Sequence, residues 1–159
     1  MNYMELDTPA MLIDREIMMD NIRFMQKYAD RNHVALRPHT KTHKTPELAL
    51  LQEKEGAKGI TVAKVGEAEV MAENGLRDIF IANEIVGDQK LQRIRRLMER
   101  GIKVSFGLDS IAQARMIQKN FADAKEPAVV LVEIEVGENR SGVIEKEEFR
   151  KLLLFVKEN

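Results

Sequence analysis

The octapeptide Arg37-Pro38-His39-Thr40-Lys41-Thr42-His43-Lys44 gathers two of the chain's three histidines beside two lysines. Its chemistry is that of an amine among cations. A lysine in such company loses its proton more readily, because like charge disfavours the ammonium form. A neutral lysine amine can then condense with an aldehyde as a Schiff base. His39 and His43 are spaced i, i+4, which on a helix suits a metal. Pro38 and the surrounding threonines argue against a helix in this stretch, and no cysteine exists to complete such a site. Two plainer readings stand beside these: a solvated basic loop, and a phosphate or nucleic-acid patch.

The elements that must position this stretch are read from periodicity. Short runs rich in Val and Ile alternate with longer amphipathic segments. The pattern predicts strands at Ala10 to Ile13, Val34 to Arg37, Gly59 to Val62, Asp78 to Ala82, Lys103 to Phe106 and Val129 to Val136. It predicts helices at Arg15 to Arg31, Pro46 to Glu55, Val65 to Asn74, Asp88 to Arg100, Ser110 to Ala124 and Lys146 to Lys157. Thr45 is expected to cap a helix opening on Pro46, and Asp109 to cap the one through Ile111, Ala114 and Ile117. Gly56, Gly75 and Gly101 sit where helices need a left-handed C-terminal residue. The octapeptide therefore lies between a strand and the helix that follows it, which is where α/β barrels keep their chemistry.

Strictly alternating strands and helices imply parallel strands with crossover helices. A dinucleotide-type doubly wound sheet should show a Gly-rich turn after its first strand. The turn after Arg37 has no glycine, and Gly137-Glu138-Asn139-Arg140-Ser141-Gly142 lacks the fingerprint spacing. The expected fold class is therefore α/β, a (β/α)8 TIM-barrel type. About five βα units follow the first helix, where a full barrel takes about 250 residues. The 159 residues are expected to be the N-terminal part of a larger barrel enzyme, one domain over 1–159.

Composition excludes several classes. The net charge is -1, there are two tyrosines and no tryptophan, so a nucleic-acid partner is not expected. No apolar run approaches the ~20 residues of a membrane helix, and no membrane partner is expected. Met1 to Thr8 has two acids and no basic region, so no signal peptide is expected there. The absence of cysteine fits a reducing cytoplasm. Met18, Met19 and Met25 fall in one helix, where core filling is the commoner use of methionine.

Several blocks of sequence closely resemble one family. They are Thr8-Pro9-Ala10-Met11-Leu12-Ile13-Asp14, Asn21-Ile22, Leu36 to Lys44, and Gly59-Ile60-Thr61-Val62-Ala63-Lys64-Val65-Gly66-Glu67-Ala68-Glu69. Ile81-Ala82-Asn83-Glu84 and Glu133-Ile134-Glu135-Val136-Gly137-Glu138-Asn139-Arg140-Ser141-Gly142 continue the match in order. The family is that of the D-threonine aldolase and D-serine dehydratase-like proteins, of the alanine-racemase N-terminal-domain type, fold type III. The resemblance covers nearly the whole chain.

The resemblance implies pyridoxal 5'-phosphate as cofactor and Lys41 as the lysine that forms its Schiff base, with Lys44 and Lys64 as alternatives. It implies His39 beside the cofactor, and Arg140 near the cofactor's phenolic oxygen and the substrate carboxylate. A surface ion-pairing role for Arg140 stays open. It implies a lyase acting on D-3-hydroxy amino acids, as an aldolase or a dehydratase; an amino-acid racemase or a non-catalytic cofactor carrier are the alternatives. A homodimer is implied for the longer family members. They also use a divalent metal, zinc or manganese, on ligands supplied by a C-terminal β domain. No metal ligand is assigned within these 159 residues.

Overall fold

A computed structural model describes residues 2–159; Met1, which opens the segment read for a signal peptide, lies outside the described residues. The first helix, α1, spans Arg15–Arg31, and α2 spans Pro46–Lys54. Then follow β1 (Ile60–Val62), α3 (Val65–Glu73), β2 (Asp78–Glu84), α4 (Asp88–Glu99), β3 (Lys103–Leu108), α5 (Ile111–Phe121), β4 (Val129–Val132) and α6 (Lys146–Glu158). The four strands form one parallel sheet in the order β1-β2-β3-β4. Strand order that follows chain order, with right-handed crossovers, stacks every helix on the same face. That is the arrangement of a (β/α) barrel, and it is not the reversal of a doubly wound sheet.

Alternation along the strands separates two faces. Ile60, Val62, Ile79, Ile81, Val104, Phe106 and Leu108 are buried. They meet Ala68 and Met71 of α3, Leu91, Ile94 and Leu97 of α4, and Ala114 and Ile117 of α5 in one core. The other face carries Phe80, Ser105 and Leu131, none of which is buried. This half-open face is the inside of the barrel.

Two expected strands are not regular strands in the structure. Ala10 to Ile13 has no regular structure and makes no ladder bond among the described residues, and Met11 is 93% exposed. Val34 to Arg37 is not a regular strand either. It is continued by one parallel rung, His39 opposite Thr61. Thr61 N–H donates to Pro38 O at 2.7 Å and Thr40 N–H to Thr61 O at 2.8 Å. The next rung would need an N–H from Pro38, which has none. The chain still runs beside β1, held by that rung and by Lys58 N–H donating to Leu36 O at 2.9 Å.

Of the two expected caps, Thr45 holds its position and Asp109 does not. Thr45 occupies the cap position of α2 but its hydroxyl donates to His43 O, at 2.7 Å. Ser110 caps α5, its Oγ accepting from Gln113 N at 3.3 Å. Asp109 accepts instead from Gly142 N, at 3.2 Å, which ties the end of β3 to the loop after β4. Gly56, Gly75 and Gly101 have the positive φ expected of them. In α1, Met25 is 47% exposed, so core filling does not account for it.

Candidate active site

The C-terminal ends of the strands enclose a cleft of about 640 Å³. Its floor is apolar, made by Phe80, Ala82, Leu131 and Val132. Its rim is polar, with His39 and Lys41 on one side and Arg140 and Ser141 on the other. Glu84 and Glu133, at the ends of β2 and β4, complete it. The three residues singled out from sequence, Lys41, His39 and Arg140, are thus brought to one cleft.

The octapeptide loop is fixed at its centre by a buried threonine. Thr40 is 1% exposed and its Oγ1 donates to Thr61 O at 3.1 Å. On either side, each histidine ring caps the backbone two residues on. Lys41 N donates to His39 Nδ1 at 3.2 Å and Thr45 N to His43 Nδ1 at 3.0 Å. Both rings therefore carry their proton on Nε2 when neutral. Burial, helped by the positive charge of Lys41, holds His39 below the usual imidazole range, so it stays neutral at pH 7. Residues 39–43 form a bridge and a turn rather than a helix, so the i, i+4 spacing does not bring the two rings to one helical face.

The lysines are differentiated by their partners. Lys44 Nζ lies 3.3 Å from Glu67 Oε1 in an ion pair. Glu67 is anchored in turn, its Oε2 accepting from Ala63 N at 2.8 Å. Burial pushes the Glu67 carboxyl up, but the Ala63 N–H and Lys44 outweigh it and hold it below its usual range. Lys41 has no ion-pair partner among the described residues and lines the cleft. Lys64 does not line it.

The expected crowd of cations around the octapeptide is not assembled. Arg37 turns to the opposite end of the sheet, where it pairs with Asp78 Oδ1 at 2.7 Å and donates to Asp78 O at 3.2 Å. Lys44 is neutralised by Glu67. Arg37 thus serves the N-terminal end of the strands, while Lys41 lines the cleft at their C-terminal end. Nearness in sequence overstated nearness in space.

Arg140 reaches the cleft on a loop shaped by one carboxylate. Glu135 accepts from Gly137 N, and from Arg140 N at 3.1 Å. These backbone donors, led by Asn139 and Gly137, hold the Glu135 carboxyl below its usual range. Gly142 closes the loop at φ +100, and a Cβ there would lie 2.5 Å from Glu135 N. The guanidinium itself pairs with Glu138 at 2.8 Å, both side chains largely exposed. The surface ion-pairing role is therefore the one Arg140 fills in this structure, at the rim of the cleft.

Sequence reasoning assigned no role to Glu84 or Glu133. Burial, a hydrogen bond to Glu133 and the nearby charges of Glu133 and Asp109 push the Glu84 carboxyl up to about 7. The same hydrogen bond, with another from Ser141 Oγ at 2.7 Å, holds Glu133 down. The available signal was positional, since both acids stand at the carboxyl ends of strands. Among the described residues no group of three His, Cys, Asp or Glu side chains is placed to hold a metal ion.

The alanine racemase N-terminal domain model matches residues 13–159, and the chain belongs to that family. It is 42% identical over 138 residues to D-threonine aldolase of an Arthrobacter species, covering 87% of this chain and 36% of that protein. It is 38% identical over 138 residues to D-threo-3-hydroxyaspartate dehydratase of Delftia, covering 87% and 36%. The crystal structure of D-threonine aldolase from Filomicrobium marinum superposes with a TM-score of 0.90 at 37% identity, over 95% of this chain and 41% of that one. The chain thus spans well under half the length of these relatives. No helix among the described residues is long and apolar enough to cross a membrane.

Proposed function

We propose that the protein is the N-terminal part, over residues 1–159, of a pyridoxal-phosphate-binding barrel, and that it serves a lyase reaction on D-3-hydroxy amino acids, with Lys41 as the residue that holds the cofactor. The observation that carries this reading is the contrast between two lysines. Lys44 is tied to Glu67, while Lys41 lines the cleft with no ion-pair partner among the described residues. The donor set fits the group. An aldehyde needs an amine, a phenolic oxygen needs a cation, and a flat ring needs an apolar floor. Lys41, Arg140 and the Phe80–Leu131 surface offer these in turn. The relatives' names, an aldolase and a dehydratase of hydroxylated D-amino acids, support the substrate class.

Bound there, pyridoxal phosphate supplies an electron sink for charge developing at an amino acid's Cα. The protein's part is binding and proton handling. Lys41 would hold the cofactor's aldehyde carbon, and its amine would be placed to carry a proton on one face of a bound amino acid. His39 stays uncharged and keeps the backbone N–H of Lys41 engaged, which orients the lysine without adding charge beside it. Arg140 can leave the exposed Glu138 for an anionic oxygen at small cost, since such pairs contribute at most about 1 kcal/mol. The divalent metal of the longer family members has no site among the described residues. A homodimer and a cytoplasmic location belong to the same proposal; the cysteine-free composition supports the latter.

Pyridoxal phosphate added to the protein, then borohydride, then peptide mass mapping tests the assignment. The adduct is expected on Lys41. Lys41→Ala is expected to abolish it and Lys44→Ala to retain it. An adduct on Lys44, or none, overturns the reading. With D-threonine or D-3-hydroxyaspartate, release of glycine marks aldol cleavage, and release of ammonia marks dehydration.

A further inference from the structure

We propose that Glu84 and Glu133 act as one unit that shares a single proton across the ends of β2 and β4, and that this unit sets the charge of the cleft and so its preference for anionic ligands. The consequence for ligands rests on the cofactor reading above; the shared proton does not. Glu84 owes its position to an irregularity. β2 and β3 pair in register up to Ile81 opposite Phe106, and the next pair is Glu84 opposite Gly107. The two extra residues re-aim the strand end, as bulges beside active sites do. Gly107 leaves the space that Glu84 fills. A Cβ at Gly107 would stand 3.3 Å from Glu84 Oε1 and 3.1 Å from Asn83 O.

In that position Glu84 Oε1 is buried and accepts no hydrogen bond from the described residues. Glu133 comes to the same place from the other side of β3, its N–H donating to Leu108 O at 2.9 Å, so that over Gly107, which has no side chain, the two carboxyls line one cleft. Glu133 Oε1 already accepts from Ser141 Oγ at 2.7 Å, so that carboxylate is the better supported anion. Two carboxylates sharing one cleft in this way cannot both ionise at low cost, and one proton between them removes the conflict. The other charges facing the pair are Asp109 after β3, Arg140 and Glu135 around the loop after β4, and Lys41 with the neutral His39 across the cleft. Asp109 and Glu135 oppose a second negative charge, while Arg140 and Lys41 favour it. The raised Glu84 carboxyl is consistent with the acids prevailing.

The first measurement needs no ligand. Carbon-13 NMR of labelled glutamate side chains should show one carboxyl titrating near pH 7 in the wild-type chain, and none there in Glu84→Gln. Two carboxyls titrating in the ordinary acid range would overturn the proposal. The second measurement is capture of pyridoxal phosphate against capture of pyridoxal, which lacks the phosphate. Loss of the shared proton adds one negative charge to the cleft. Over ~8 Å at an effective dielectric of ~40 this weakens an anion's binding about fivefold. The ratio of phosphate to phosphate-free capture is expected to fall about fivefold between pH 6 and pH 8.5 in the wild type and to stay level in Glu84→Gln. An equal fall in the variant would overturn the charge role. Glu133→Gln is the second variant should Glu84→Gln misfold, and it too should level the ratio. Failure of Lys41 to take either aldehyde at any pH would refute the cofactor reading and the ligand preference together, while the titration would still decide the shared proton.

Discussion

Glu67→Ala tests what distinguishes the two lysines. Glu67 is the third residue of α3 and reaches back to Ala63 N–H at 2.8 Å while holding Lys44 at 3.3 Å. Its side chain is 11% exposed. Losing a capping acceptor of this kind costs about 1 kcal/mol. Losing a carboxylate from the first helical turn costs about 0.5 kcal/mol more. The Lys44 pair adds at most about 0.5 kcal/mol, since that lysine is 61% exposed. Alanine's better helix propensity returns a few tenths. The net expectation is a loss of about 1.5 to 2 kcal/mol at pH 7. Glu67→Gln, which keeps an acceptor, should lose about half as much.

The pH dependence follows from the sign of the shift. The folded Glu67 carboxyl lies below its usual value of 4.5. Its contribution is therefore full above about 4.5 and is lost as pH falls through the folded value. Urea unfolding followed by circular dichroism should show the gap between wild type and Glu67→Ala at pH 7 and a smaller gap at pH 3, with unchanged denaturant slope. Freed Lys44 should also appear as a second site of the borohydride-trapped adduct. A gap below 0.5 kcal/mol at pH 7, or one that does not change with pH, would refute Glu67 as the anchor of Lys44 and of the α3 N-terminus.

Phe106→Ala should lose about 3 to 5 kcal/mol in urea unfolding, because Phe106 is fully buried in the core, whereas Phe24→Ala should change stability by less than about 0.5 kcal/mol, since Phe24 is 71% exposed. Gly142→Ala should cost about 2 to 3 kcal/mol in thermal unfolding, because its φ is +100 and the new Cβ would press on backbone atoms of Ile134 and Glu135 that no rotamer can relieve. For Glu84→Gln the sign is the reverse of Glu67. The folded carboxyl sits at about 7 against 4.5, so its contribution is present below 4.5 and lost as pH rises through about 7. The variant should thus gain on the wild type at pH 8 relative to pH 4, by about 1 kcal/mol once solvent screening is allowed for, as read from unfolding at both pH values.

What was legible in the sequence follows from how regular each part of the backbone is. Helix α1 occupies the range read from its pattern, and the other helices differ by one to three residues at their ends, because glycines and a helix-opening proline mark those ends locally. Strands β1 to β3 were legible as apolar runs. The strand expected up to Val136 stops at Val132, because Glu133 O and Glu135 N then pair with Val143 in the returning loop. Nothing local in Val129 to Val136 announces a partner that far along the chain. Lys41 was legible because its motif is contiguous. Glu84 was not, for a geometric reason. Reading by alternate residues assumes an unbroken period of two, and β2 breaks that period between Ile81 and Glu84. The read strand therefore ended at Ala82, and the acid that faces Glu133 fell into a presumed loop. The irregular backbone that hides Glu84 from a periodic reading is also what turns its carboxyl into the cleft, so the least legible residue of the site is the one whose position depends most on the fold.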